Sequence, residues 1–252
     1  MDISNNSKAV IELFHLLFME QLSQKLDKRL YALKGGCNLR FFFGSIRYSE
    51  DIDLDIHTVA PTTLENTVNK ILAGIVFTQL LKTKNISILH FSTPKQTATT
   101  QRWKIQLTLP NHTLPINTKI EFSRRDSTQG SVSEIIVREL MIAYKLRPLF
   151  ISHYPAAIAL QQKISALILR TETQARDVFD IYHLMQTNKL EITAFTTEEL
   201  QIAIDNAMSI DFAAFKAQVV SYLEPDYQAQ YDDADRWNQM LLTVCDELRC
   251  TP

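Results

Sequence analysis

The sequence predicts an α+β fold: a mixed β-sheet with helices, followed by a C-terminal helical bundle. Three observations carry this. Segments of apolar–polar alternation, the mark of half-buried strands, lie in the first part of the chain, at Glu50–His57, Arg102–Leu109 and Thr118–Ser123. After Pro155 the periodic segments repeat with helical spacing. Glycine numbers only five in 252 residues and is absent from Ser131 onward. Two domains are expected, a mixed α/β domain over 1–150 and a helical domain over 151–252.

The elements follow in order. Val10, Leu13, Phe14, Leu17, Phe18 and Leu22 recur with helical period, so Ser7–Leu26 is a helix. Arg29–Lys34 reads as a short strand ended by a Gly35-Gly36 turn, and Cys37–Phe43 as a short helix closed by Gly44. Glu50–His57 is a strand with Asp51, Asp53 and Asp55 on one face and Ile52, Leu54 and Ile56 on the other. Pro61 opens a helix reaching about Leu81. Ile86–Phe91, Arg102–Leu109 and Thr118–Ser123 read as strands, and Val132–Leu140 as a strand in its first half. Ala156–Arg170, Ala175–Gln186, Thr197–Ala207, Phe212–Leu223 and Asp232–Leu248 complete the chain as helices.

Composition bounds the function. With 46% hydrophobic and 21% charged residues, the chain is an ordinary globular one. No apolar run reaches the ~18 residues of a membrane helix, and the N-terminus lacks the basic segment of a signal peptide. The cytoplasm, without membrane association, is the expected location. A net charge of -2 excludes a generally basic nucleic-acid-coating surface, though not a local basic cleft. Three cysteines without metal-ligand spacing indicate free thiols. Neither a nucleophile elbow nor a Walker lysine motif is present.

Glycine points to the site, because Gly35, Gly36 and Gly44 fall within ten residues. Bare backbone N–H groups at a helix start can grip a phosphate. Fourteen residues separate Gly36 from Asp51, room for a short helix and its return; Gly44-Ser45 is the alternative cradle, with five. Alternate strand residues repeat every ~6.6 Å on one side, so Asp51 and Asp53 can converge. Their mutual repulsion calls for counter-charge, which Mg²⁺ or Mn²⁺ would supply. Two metals ~3.5–4 Å apart can hold the attacking and leaving oxygens of a phosphoryl displacement. A solvated strand face beside an ordinary turn is the plainer alternative.

The run Leu33-Lys34-Gly35-Gly36-x-x-Leu39-Arg40, followed by Arg47-x-Ser49-x-Asp51-Ile52-Asp53-Leu54, resembles the AbiEii-type nucleotidyltransferases of the DNA polymerase β superfamily. That group includes the toxin halves of bacterial toxin–antitoxin pairs. The resemblance spans about residues 30–190 and implies a nucleotidyltransferase fold over the first part of the chain, with the helical part completing the active-site cleft. It implies a third carboxylate on a later strand, matched by Glu121, which would complete a metal set with Asp51 and Asp53 or accept a proton. A surface Lys119–Glu121 strand face is the alternative. It also implies phosphate contacts from Gly35, Gly36, the Cys37 backbone, Arg47 and Lys163, with Asp177 ordering the lysine. The plainer alternative for Asp177 and Asp180 is two acids favourable to a helix N-terminus, and Arg170 and Asp180 read as a structural, buried ion pair. Relatives place Ala-Glu before the lysine where this chain has Gln161-Gln162, and a small or hydroxyl residue where it has Cys37.

The expected activity is transfer of a nucleotide from an NTP substrate to an acceptor hydroxyl, in the first instance an RNA 3′ end such as that of tRNA. The expected role is that of a toxin restrained by an antitoxin protein. Lys34, Arg40, Arg47, Lys119, Arg124, Arg125, Lys163, Arg170 and Arg176 near the motifs would form a local positive cleft. A protein or small-molecule acceptor, or a catalytically silent binding module, are the alternatives.

Overall fold

A computed structural model describes residues 6–110, 112–124, 128–188 and 190–250. Contacts divide the chain into two units: one runs to Phe42 and resumes over Ser49–Tyr154, the other combines Phe43–Tyr48 with the chain from Pro155 onward.

The first unit is built on a seven-stranded mixed sheet. Its strands are β1 (Tyr31–Lys34), β2 (Asp51–Ile56), β3 (Ser87–Gln96), β4 (Thr100–Thr108), β5 (Ile116–Ser123), β6 (Val132–Ile135) and β7 (Phe150–His153), in the order β3-β4-β5-β2-β1-β7-β6. β2 runs antiparallel to β1 and parallel to β5. Ile52, Leu54, Trp103, Ile105, Ile120 and Phe122 form one fully buried face. It packs under α1 (Ser7–Lys25), α3 (Pro61–Leu72) and α4 (Ile75–Lys82); the Trp103 indole N–H donates to Asn69 Oδ1 of α3 at 2.8 Å.

α1 is apolar almost all round, as a buried helix must be. Among its buried polar residues, Glu12 and His15 are 2% and 0% exposed and have dedicated partners. Arg40 of α2 (Gly35–Phe42) donates to both Glu12 carboxylate oxygens, at 2.7 and 3.2 Å, and the Tyr144 hydroxyl donates to Oε2 at 2.7 Å. His15 Nε2 lies 2.7 Å from Thr118 Oγ1, whose own proton goes to the Glu50 carbonyl at 2.7 Å. A hydroxyl has one proton to give, so His15 is the donor of that pair. Cys37 Sγ lies 3.5 Å from His15 Nδ1 and donates to the Asp51 carbonyl at 3.3 Å. This buried chain ties α1, α2 and β5 to the first residues of the aspartate strand.

The second unit is helical: α6 (Ala156–Leu169), α7 (Ala175–Thr187), α8 (Thr197–Met208), α9 (Phe212–Gln218), α10 (Pro225–Tyr231) and α11 (Ala234–Arg249). The excursion Phe43–Tyr48 is bound into it by main-chain bonds, Tyr48 N–H to the Tyr222 carbonyl at 2.8 Å and Glu224 N–H to the Ile46 carbonyl at 2.9 Å.

Several elements differ from expectation. Gly35 and Gly36 are the opening residues of α2, not a turn before it. The helix from Pro61 breaks at Gly74, whose extended ψ of 138° ends one helix and starts another. β3 extends to Gln96. The stretch after β6 is α5 (Arg138–Ala143) followed by β7, both too short to show a period. The helix expected over Phe212–Leu223 ends at Gln218, and a separate α10 opens at Pro225.

Burial holds the His15 imidazole far down, at about 3 against an ordinary 6.5, so the fold requires its neutral form. A group depressed in this way contributes stability that is full above its unfolded value and is lost as pH falls through the window from about 6.5 to about 3. The urea midpoint is therefore expected to drop on acidification below about 6.5, with a shallower slope in His15→Gln; an equal slope in the variant contradicts the buried neutral imidazole.

Candidate active site

Register places the functional side chains. β2 and β5 align Asp51 with Lys119, Asp53 with Glu121 and Asp55 with Ser123, while β4 sets Arg102 beside Glu121 and Lys104 beside Lys119. On the other flank, β1 sets Lys34 beside Asp53. The face opposite the apolar core is thus a mosaic of acids and cations.

Most of the acids are neutralised by the neighbouring strands. Lys119 Nζ lies 2.8 Å from Asp51 Oδ2, and Arg102 Nε 2.6 Å from Glu121 Oε2. Asp55 is fully buried, paired with Lys34 and bonded by the Tyr154 hydroxyl at 2.8 Å, which makes it a structural member of the row. Asp53 alone among the three β2 acids has no ion pair within the described residues. Burial pushes its carboxyl above the ordinary carboxylate value; Asp51 and Glu121 push the same way, Lys119 and Lys34 the opposite way. Asp53 and Glu121 line a cavity of about 340 Å³ with Lys34, Lys95, Thr100 and Arg102.

Gly35 shapes the wall behind Asp53. Its φ of +68° is a left-handed conformation that favours glycine, and a Cβ there would sit 3.2 Å from Asp53 Oδ2. The backbone at the start of α2 therefore approaches the carboxylate as closely as it can. Cys37, in the first turn of α2, points into the core and leaves only its backbone to this surface; burial pushes its thiol well up.

Among the described residues, no three His, Cys, Asp or Glu side chains form a cluster ready to hold a metal ion. The donor set nevertheless fits Mg²⁺ or Mn²⁺. Mg²⁺ is usually held by one or two carboxylates plus substrate phosphates rather than by a closed protein cage. An uncompensated Asp53 with Asp51 two residues away on the same face is such a pair.

The helical unit holds a second charged cluster. Lys163 is buried on α6, its Nζ 2.9 Å from Asp177 Oδ1 and 2.6 Å from Asp180 Oδ2, both on α7. Burial works against its charge, but Asp177 and Asp180 outweigh burial and raise its pKa above the usual lysine value. Burial works against the Asp180 charge as well, and Arg47 and Lys163 outweigh it, holding the carboxyl below its usual value. Arg47 forks onto Asp180 at 2.8 and 3.0 Å and donates to the Tyr48 carbonyl at 3.2 Å. Arg170 Nε sits 2.8 Å from Asp177 Oδ2.

The AbiEii nucleotidyl transferase toxin family of type IV toxin–antitoxin systems matches residues 17–244. The chain belongs to this family. It is accordingly a nucleotidyltransferase of AbiEii type. Two solved structures share its fold. JHP933 from Helicobacter pylori has a TM-score of 0.60 at 18% identity, over 97% of this chain and 92% of that one. The nucleotidyltransferase toxin MenT4 from Mycobacterium tuberculosis H37Rv has a TM-score of 0.60 at 15% identity, over 98% and 85%. No curated protein matches the chain.

Within this AbiEii protein, Asp51, Asp53, Glu121, Gly35 and Gly36 lie on adjoining elements of the sheet unit, and Lys163 meets Asp177 in the helical unit. Arg47 differs from expectation. It is 5% exposed and committed to Asp180, so it is part of the ion network and not a free phosphate ligand. Arg170 and Asp180 are both ion-paired, but with Asp177 and with Arg47 and Lys163 rather than with each other. Of the nine cations expected near the motifs, Arg40, Arg47 and Lys163 are buried in ion pairs and Arg124 donates to the Val59 carbonyl; Arg125 lies outside the described residues. Sequence reading missed Arg102 as the partner of Glu121, although alternation along β4 already puts Arg102 and Lys104 on one face.

Asp180→Asn is expected to destabilise the helical unit by about 3–5 kcal/mol at neutral pH, because it leaves Arg47 and Lys163 short of a buried counter-charge. Asp180 has a depressed pKa, so its contribution exists above the unfolded value and vanishes as pH falls through the folded one. Urea unfolding should show the gap between wild type and variant closing in acid; a gap independent of pH would contradict the ion network.

Proposed function

We propose that this AbiEii nucleotidyltransferase is divalent-metal dependent and transfers a nucleoside monophosphate from an NTP to an RNA 3′ hydroxyl, the hydroxyl oxygen bonding to the α-phosphorus as the bond to the β-phosphate breaks and pyrophosphate leaves, with tRNA the expected acceptor class. The single observation that carries the reading is Asp53. It is an uncompensated carboxylate between two other acids, at the wall of a cavity and against the bare backbone of Gly35. Leaving such a group without a counter-ion costs stability, and a bound cation removes that cost.

Asp51 and Asp53 would hold the metal, Mg²⁺ or Mn²⁺, which supplies charge neutralisation of the triphosphate and polarisation at phosphorus. The Gly35-Gly36 backbone lets phosphate oxygens approach the α2 N-terminus, where helix N–H groups favour negative charge. Glu121, steadied by Arg102, accepts the proton of the attacking hydroxyl. Lys163, held by Asp177 and Asp180 within the helical unit, is the expected lysine counter-charge to a triphosphate. Gln162 is neutral where relatives carry Glu, and here the two α7 aspartates hold the lysine. Catalysis then rests on positioning and fixed charge, as phosphoryl transfer requires. In this reading the protein is the toxin of a pair whose other member is an antitoxin protein.

The loss of Arg40 and Arg47 to buried ion pairs thins the basic surface and favours a second reading, with a protein or small-molecule acceptor. Incubation with Mg²⁺, labelled NTPs and bulk RNA separates the two: label in RNA supports the first, label in protein alone the second. Asp53→Ala is expected to cut transfer by roughly a thousandfold while the melting curve stays cooperative. Undiminished transfer would remove Asp53 from the chemistry.

A further inference from the structure

The two acids of the metal pair face different cavities. Asp53 opens on the cavity with Glu121 and Arg102, whereas Asp51 lines a neighbouring one of about 350 Å³ with Glu50, Lys104, Lys119 and Asn117. Lys119 accounts for the separation, since its ammonium holds Asp51 Oδ2 at 2.8 Å. Lys104 stands beside Lys119 across the β4–β5 ladder, so two lysines border this cavity along with the carboxylates of Asp51 and Glu50. For Asp51 to join Asp53 on one ion, the Lys119 contact has to open.

We propose that Lys119 is a charge gate, which disfavours a free divalent cation at the acid pair and favours the same cation arriving as its triphosphate complex. The inference rests on the metal reading above. A bare dication entering beside Asp51 meets the Lys119 and Lys104 charges and competes with Lys119 for the carboxylate. A metal–triphosphate complex is net negative and is attracted by the same two lysines. As Asp51 turns to the metal, the released Lys119 ammonium finds phosphate oxygens in place of the carboxylate. The exchange is easy, because an ion pair whose side chains are 27% and 32% exposed is weakly held.

The gate predicts opposite signs for two ligands. In the purified full chain, Mn²⁺ is titrated alone, with free ion read by electron paramagnetic resonance, and magnesium tripolyphosphate is titrated by calorimetry. Lys119→Gln is expected to bind Mn²⁺ about tenfold tighter than wild type and magnesium tripolyphosphate severalfold weaker. Lys119→Arg keeps the charge and should follow wild type in both, which separates charge from any effect on folding. Asp53→Asn should lose Mn²⁺ binding. Unchanged or weaker Mn²⁺ binding by Lys119→Gln, or tripolyphosphate binding equal to wild type, overturns the gate. If Asp53→Asn binds Mn²⁺ as wild type does, the metal reading has failed and the gate fails with it; if only the Lys119→Gln result is missing, the gate alone is wrong.

Discussion

Three carboxylates on alternate positions of one strand repel each other, and the architecture of the sheet face answers that repulsion acid by acid. Asp55 receives Lys34 from one flank, Asp51 receives Lys119 from the other, and Glu121 receives Arg102 from the next strand out. Asp53, in the middle, receives nothing comparable among the described residues, and Gly35 brings bare backbone against it. A strand selected for stability alone would not keep an uncompensated acid between two others. In the proposed reading, a cation belonging to the reaction would complete the row.

The support behind the row is equally specific. The main chain at Glu50 and Asp51, where the aspartate strand begins, is held from within the core by Thr118 and Cys37, with His15 between them. These are buried polar groups with definite donor and acceptor roles, so they fix the strand start more tightly than apolar packing would. The acids are thereby carried on a backbone whose position does not depend on their own charge.

Much of this was legible in the sequence, and the reason is periodicity. Alternation in Asp51–Ile56 and Ile116–Ser123 determines which residues share a face, and glycine scarcity drew the eye to Gly35. Pairing between strands was legible only where the family resemblance set the Glu121 strand with the aspartate strand, as the β2–β5 ladder does. Register and the place of β4 were not, so Arg102 and Lys119 could not be assigned to their acids. Short elements escaped for a related reason: β7 and α5, at four and six residues, span too little chain to establish a period. Arg47 misled because it stands four residues before Asp51 in sequence, whereas main-chain bonds to Tyr222 and Glu224 draw residues 43–48 into the helical unit.

That excursion bears on how the helical unit handles charge. Its network contains three cations, Arg47, Lys163 and Arg170, but only two carboxylates, Asp177 and Asp180. Burial penalises an unbalanced charge, so the network should favour equality. The imbalance is tolerable because Arg170 is 40% exposed and its share of the field is partly solvated. Arg47 matters most to the balance. Its fork occupies Asp180, so Lys163 has to share that acid, and its positive charge stays incompletely cancelled. In the proposed reading, a lysine oriented by two aspartates and still carrying surplus field would suit an anionic substrate, because it is pre-oriented without being fully neutralised.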